Sequence, residues 1–192
     1  MSEQSILEDL AASGALRRGH FRLSSGRHSN TYVQCSQLLK NPSRAVDAGR
    51  MLAERVSREV GGVDVVLSPA LGALLIGFTT ALALNCDMLF AERVDGRMSL
   101  RRGFALEQGM RVLLVEDVIT TGGSILELAR LVEEAGARVA ALGCIVNRGG
   151  LTEPGYPPVS LAEVKADSFA PEECPLCARG VPLDSPGSRY SG

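Results

Sequence analysis

Residues 112–124 read Val-Leu-Leu-Val-Glu-Asp-Val-Ile-Thr-Thr-Gly-Gly-Ser, and most of the chemistry expected of the chain lies there. Four apolar residues set Glu116 and Asp117 at the carboxyl end of a buried strand, where open α/β sheets bind their ligands. Thr120, Thr121, Gly122, Gly123 and Ser124 follow and open a helix. Small, hydroxyl-bearing residues at a helix N-terminus offer an anion unpaired backbone N–H groups and a favourable dipole. No Gly-Lys pair follows, so this is not a Walker A loop, and no dinucleotide Gly-x-Gly-x-x-Gly occurs in the chain. Adjacent carboxylates do not favour a phosphate; they suit sugar hydroxyls, a Mg²⁺ ion, or both. Buried side by side without such partners they would repel each other. A phosphorylated sugar with free vicinal hydroxyls satisfies the loop and the acidic pair together. The bland alternative is a capped helix with an exposed acidic pair.

The cations are lopsided. Of 20 Lys and Arg residues only Lys40 and Lys165 are lysines, so a positive side chain in the chemistry is an arginine. Arg93, Arg97, Arg101 and Arg102 crowd one polar segment around Gly96. They can serve a polyanion or form a solvated surface loop. Arg148 follows an apolar run, where a lone arginine is often only a surface charge.

These residues need a frame. The 192-residue length fits one domain with a real core, and 45% hydrophobic with 22% charged residues is ordinary globular usage. A net charge of −2 leaves no electrostatic footprint for nucleic acid or an anionic membrane. Helices are expected over 5–12, from the Asn41-Pro42 start to about 60, from about 73 to 84, and over 125–135. Strands are expected over 63–67, 88–91, 112–115 and 138–146, with extended chain over 21–34 around a polar turn at 24–30 and again from Phe104 to Leu106. This alternation indicates an α/β domain with a parallel sheet. Seven of the nine prolines lie beyond residue 147, so that tail is expected to wrap the surface.

The opening Met1-Ser2-Glu3-Gln4 is polar and carries no secretory pattern. The apolar stretch over 70–84 is broken by Gly72, Gly77, Thr79 and Thr80 and is too short for a bilayer. Five scattered cysteines, at 35, 86, 144, 174 and 177, make no disulfide framework, and a cytoplasmic protein is the plain expectation.

The segment Glu116-Asp117-Val118-Ile119-Thr120-Thr121-Gly122-Gly123-Ser124 resembles the phosphoribosyl pyrophosphate (PRPP) motif of type I phosphoribosyltransferases. The resemblance implies that the acidic pair holds the ribose 2′- and 3′-hydroxyls and the Thr/Gly loop the 5-phosphate. Gly19-His20-Phe21-Arg22-Leu23-Ser24-Ser25-Gly26-Arg27-His28-Ser29 is similar to the amino-terminal hairpin of orotate phosphoribosyltransferases, which helps form a hood over the pyrimidine. Cys174-Pro175-Leu176-Cys177 and Pro186-Gly187-Ser188-Arg189 resemble the tail of a short, arginine-rich branch of that family, and the similarity covers about residues 5–189.

That family implies one type I fold, with a mainly parallel sheet flanked by helices. Its core would be about 41–149, and its hood about 1–40 plus the tail of about 150–192. Also by resemblance, Arg148 would grip the orotate carboxylate with Thr120, Ser24 and Tyr32 around the base, a contact that suits a planar guanidinium. Ala70 and Leu71 would belong to the pyrophosphate loop at 68–72. Departures from the family are concentrated in two loops. Gly72 stands where many orotate enzymes carry a pyrophosphate-loop Lys, Ser24 where the hood often has one, and the mobile segment 92–103 has neither Lys nor His. Arg93, Arg97, Arg101 and Arg102 are therefore expected to supply the pyrophosphate charge and to act in catalysis with Glu116 and Asp117.

The implied reaction transfers the 5-phosphoribosyl group from PRPP to orotate, with Mg²⁺ held by ligand oxygens and water and no side chain ligating it directly. The implied unit is a homodimer whose mobile loop reaches into the neighbouring site. A purine-base phosphoribosyltransferase and a non-enzymatic PRPP or nucleotide sensor are the alternatives. The histidines, His20 and His28, are expected on the hood surface. Cys174 and Cys177 have the spacing of half a zinc site. No second pair exists and no His is near in sequence, so four ligands would need two subunits. A thiol turn packed under the tail is the expectation.

Overall fold

The fold is that of a computed structural model, which describes residues 3–151 and 155–186. Helix α1 (Glu3–Ala12) buries Ile6 and Leu10. Strands β1 (Leu16–Arg22) and β2 (His28–Val33) then pair antiparallel as a hairpin. The short α2 (Ser36–Leu39) leads to α3 (Pro42–Val60), which starts where expected. Asn41 accepts a bond from the Arg44 N–H at 3.2 Å and Pro42 fills the first turn, where no intrahelical donor is needed.

Strands β3 (Val65–Pro69), β4 (Asp87–Val94), β5 (Arg97–Leu100), β6 (Arg111–Ile119), β7 (Arg138–Asn147) and β8 (Pro158–Glu163) form one sheet in the order β5-β4-β3-β6-β7-β8. All neighbours run parallel except β5, which is antiparallel to β4. Helices α4 (Leu74–Leu84) and α5 (Gly123–Glu134) follow β3 and β6. Alternate residues of each buried strand feed two cores. Val66, Leu113, Val115 and Ile145 pack on the face that α3 covers, and Val65, Leu67, Val112, Leu114 and Leu142 on the α5 face. From β3 the chain moves to β4 on one side, then returns to β6 on the other. The gap between the carboxyl ends of β3 and β6 is therefore the topological switch point, where such sheets bind ligands.

The hood is a second sheet, β1-β2-β9, in which β9 (Ser168–Phe169) from the tail pairs with the start of β2. A short α6 (Pro175–Ala178) packs below it. Among the described residues no helix is long and apolar enough to cross a membrane.

Three expectations need correction. The polar segment from Arg93 to Arg102 is not an open loop but the β4–β5 hairpin. Its two turn residues, Asp95 (φ 47°) and Gly96 (φ 82°), both take positive φ. That geometry matches the strand twist and favours Asp-Gly, while Met98 and Leu100 pack on the core. Phe104 to Leu106 makes no strand; Phe104 stacks edge-on against Phe90 at 5.2 Å. The tail does more than wrap: Val159, Leu161 and Ala162 of β8 are buried in the main core. Of the tail motif, Gly187 to Arg189 lies outside the described residues.

Candidate active site

Strand β6 carries Glu116 and Asp117 out to the switch point, half-buried. Burial and the adjacent Asp117 push the Glu116 carboxyl up to about 7. Burial also raises Asp117, although its Oδ1 accepts a bond from the Val118 N–H at 2.9 Å. This strain was expected of two neighbouring carboxylates in low dielectric without a cation or hydroxyl partner. The β3–α4 loop faces them: a Cβ on Gly72 would meet both Asp117 carboxylate oxygens at 3.5 Å. Ala70 is anchored there by its N–H, which donates to the Ala91 carbonyl at 2.9 Å, and Leu71 is exposed.

Beyond the acidic pair Ile119 is buried, and its carbonyl accepts the Arg148 N–H at 2.9 Å. Thr120 and Thr121 turn the chain, and Gly122 (φ 80°) enters α5 without a side-chain cap. The first-turn N–H groups at Gly123 and Ser124 are thereby left for an external acceptor. Gly150 closes over this turn so tightly that a Cβ would fall 2.3 Å from the Thr120 carbonyl oxygen.

A cavity of about 800 Å³ lies between hood and sheet. It brings together Ser24, Tyr32, Thr120, Thr121 and Arg148, residues singled out from three separate stretches of sequence. Among the described residues the buried Arg148 Nε has no hydrogen-bond partner, and burial lowers the group's affinity for its proton. A guanidinium in that state is set to receive an anion. Sequence reasoning missed Arg22, Arg27, Gln34 and Ser168 on the same wall. Arg27 donates to the Ser168 hydroxyl and carbonyl at 2.8 Å each. The arginines beside the Ser-Ser-Gly turn gave a signal; Ser168, far away in the tail, gave none.

None of the four clustered arginines lines the cavity. Arg93 pairs with Glu127 at 2.8 Å and also donates to the Gly96 carbonyl. Arg102 pairs with Glu92 at 2.9 Å and lies over the Phe90 ring. Arg97 and Arg101 are exposed. The histidines are not on the hood surface as expected: His20 and His28 are buried, because the β1–β2 hairpin turns them toward α6 rather than toward solvent.

The phosphoribosyl transferase domain family matches residues 34–173. The orotate phosphoribosyltransferase of Chlorobium phaeobacteroides is 46% identical over 193 residues, covering 98% of this chain and 97% of that protein. The Thermotoga maritima orotate phosphoribosyltransferase is 44% identical over 185 residues, 96% of this chain and 98% of that one. Among solved structures, the Aeropyrum pernix orotate phosphoribosyltransferase superposes with a TM-score of 0.66 at 29% identity, over 82% of this chain and 93% of that one. An adenine phosphoribosyltransferase from Thermoanaerobacter pseudethanolicus reaches 0.62 at 22% identity, over 70% and 88%, which is a likeness of fold alone. Matched along nearly its whole length by such relatives, the chain belongs to the phosphoribosyltransferase family, within its orotate phosphoribosyltransferase branch.

Proposed function

We propose that this protein transfers the 5-phosphoribosyl group of PRPP to orotate, releasing pyrophosphate and orotidine 5′-monophosphate in pyrimidine synthesis. One observation carries the choice of base: the half-buried Arg148, its buried Nε without a partner among the described residues, on the wall of a cavity also lined by Ser24, Tyr32 and Thr120. Orotate offers that guanidinium a carboxylate; a purine base offers none.

The 5-phosphate sits in the turn from Thr120 to Ser124, on first-turn N–H groups of α5. Glu116 and Asp117 accept bonds from the ribose hydroxyls, and the 68–72 loop opposite Asp117 receives the pyrophosphate. Pyrophosphate departure builds positive charge at C1 of the ribose. The two carboxylates would stabilise it, and orotate N1 then captures C1 from the opposite face. The protein's part is positioning and charge stabilisation, with water excluded between hood and sheet.

The donor set fits Mg²⁺, because a half-buried carboxylate pair raised by burial, and at Glu116 also by the Asp117 charge, is relieved by a hard dication or by hydroxyls bound to one. Glu116 and Asp117 would hold it through the ribose hydroxyls and water, where it would neutralise pyrophosphate charge. Arg97 and Arg101, the arginines of the segment in no salt bridge among the described residues, supply the remaining charge. The working unit is a homodimer in which the β4–β5 hairpin serves the neighbouring site. An apolar stripe of Leu75, Phe78 and Leu82, exposed on one face of α4, supports a second copy as its cover. No disulfide joins any of the five cysteines, which suits a cytoplasmic setting.

The test is pyrophosphate release from PRPP with orotate, adenine, xanthine and hypoxanthine in parallel. Orotate alone is expected to support turnover; activity with a purine only would overturn the assignment.

A further inference from the structure

The hood holds a second constellation, away from the PRPP loop. His20 on β1, His28 at the start of β2, and Cys174 and Cys177 beside and within α6 point four ligand atoms at one spot, all within 4.8 Å of one another. The His20 Nε2 lies 3.1 Å from the His28 Nδ1, 3.4 Å from the Cys174 Sγ and 3.7 Å from the Cys177 Sγ. The Cys177 Sγ is 3.3 Å from the His28 Nδ1. Zinc bonds of about 2.0–2.1 Å to nitrogen and about 2.3 Å to sulfur give tetrahedral edges of roughly 3.3–3.8 Å. The cluster falls on that scale.

The surroundings also fit a metal. The Val181 carbonyl lies 2.8 Å from the His20 Nδ1 and accepts its proton, which leaves the Nε2 lone pair facing the cluster. Such an outer bond is what orients metal-bound imidazoles. One lone pair on Nε2 cannot satisfy three neighbours by hydrogen bonding, whereas one cation satisfies all four donors. His20, His28 and Cys174 are buried, and two thiolates with two imidazoles select a borderline-soft, tetrahedral ion. Sequence alone pointed to two subunits because no histidine is near Cys174 in the chain. The fold supplies both, His20 from 154 positions before Cys174 and His28 from 149 before Cys177.

We propose that His20, His28, Cys174 and Cys177 bind one Zn²⁺ in a closed structural site that clamps the tail to the β1–β2 hairpin. No ligand position is left open for chemistry, so the ion acts on catalysis only by holding the hood in place. The clamp reinforces weaker ties, among them the Arg22 N–H to the Asp184 carbonyl at 2.8 Å and the Arg17–Asp184 ion pair at 2.7 Å.

The test is metal analysis of the full-length protein purified under reducing conditions without chelator, where close to one zinc per chain is expected. Exchange with Co²⁺ should give the intense visible absorption of a tetrahedral thiolate site. A mercurial that blocks thiols should release the zinc stoichiometrically, a readout that needs no variant to fold. Stripping the metal should lower the unfolding midpoint and raise KM for orotate more than KM for PRPP. Cys177→Ser and His28→Asn should each lose the metal. Protein free of zinc even after supplementation, a Cys174–Cys177 disulfide in its place, zinc retained by the double variant Cys174→Ser/Cys177→Ser, or an unchanged midpoint without metal would each overturn the proposal.

Discussion

Burial and the Asp117 charge push the Glu116 carboxyl up to about 7, which makes the site sensitive to pH. The unfolded chain ionises the same group near 4.3. Below that value both states are protonated and Glu116 is neutral in its effect. As pH rises toward about 7, the unfolded state loses its proton first and folding stability falls. Glu116→Gln should therefore raise the unfolding midpoint of the ligand-free protein at pH 8 and leave it nearly unchanged at pH 4.5. Parallel thermal scans across that range check it. Saturating PRPP should shrink the difference at pH 8, because the ribose hydroxyls then partner the carboxylate. Arg148 carries a separate expectation. Charge-assisted bonds contribute about 1.5–3 kcal/mol, so Arg148→Ala should lower kcat/KM for orotate roughly 10- to 100-fold. Steady-state kinetics should find KM for PRPP little changed. The acidic pair was legible in the sequence because a strand, two carboxylates and a Thr/Gly turn are contiguous. The partnerless Nε of Arg148 was not, since burial of one end of a guanidinium depends on what folds over it.

The turn over Thr120 shows how little room the phosphate element leaves. With a Cβ only 2.3 Å from the Thr120 carbonyl oxygen, Gly150→Ala must push backbone against backbone. Overpacking of this kind destabilises by about 1–3 kcal/mol. A lowered unfolding midpoint, with KM raised for both PRPP and orotate, is the expected outcome of thermal scans and kinetics. The β4–β5 hairpin separates its arginines into two kinds. Arg93 and Arg102 are held by Glu127 and Glu92 and brace the element, whereas Arg97 and Arg101 are exposed and in no salt bridge among the described residues. Arg97→Ala and Arg101→Ala should raise KM for PRPP without moving the unfolding midpoint, as fits surface positions. Asp95-Gly96 carries a hairpin signal, yet the segment reads as a mobile loop whose four arginines supply the pyrophosphate charge. The packing of Met98 and Leu100 on the core decides for the strand. Helix α3 was easier to read, because its Asn-Pro start is a local device.

For the whole molecule, the alternation of buried strands and amphipathic helices was enough to read a parallel α/β sheet. The hood was read only by resemblance, since its ties cross most of the chain and leave no periodic trace. The apolar stripe on α4 belongs to this scale too. Phe78→Glu should dissociate the proposed homodimer, seen as a halved mass in light scattering, and activity should fall with it if the hairpin serves a neighbouring site. The β1-β2-β9 sheet has one more consequence, which concerns the order in which the protein is made. A ribosome delivers β1 and β2 long before β9, and Arg27 finds Ser168 141 positions further along. Domains acquire structure from their N-terminal side during synthesis. The nascent hairpin must therefore wait with an unpaired edge while the large sheet assembles beside it. The cavity wall between hood and sheet closes only after β9 has left the exit tunnel, so the base cannot be gripped before that segment emerges.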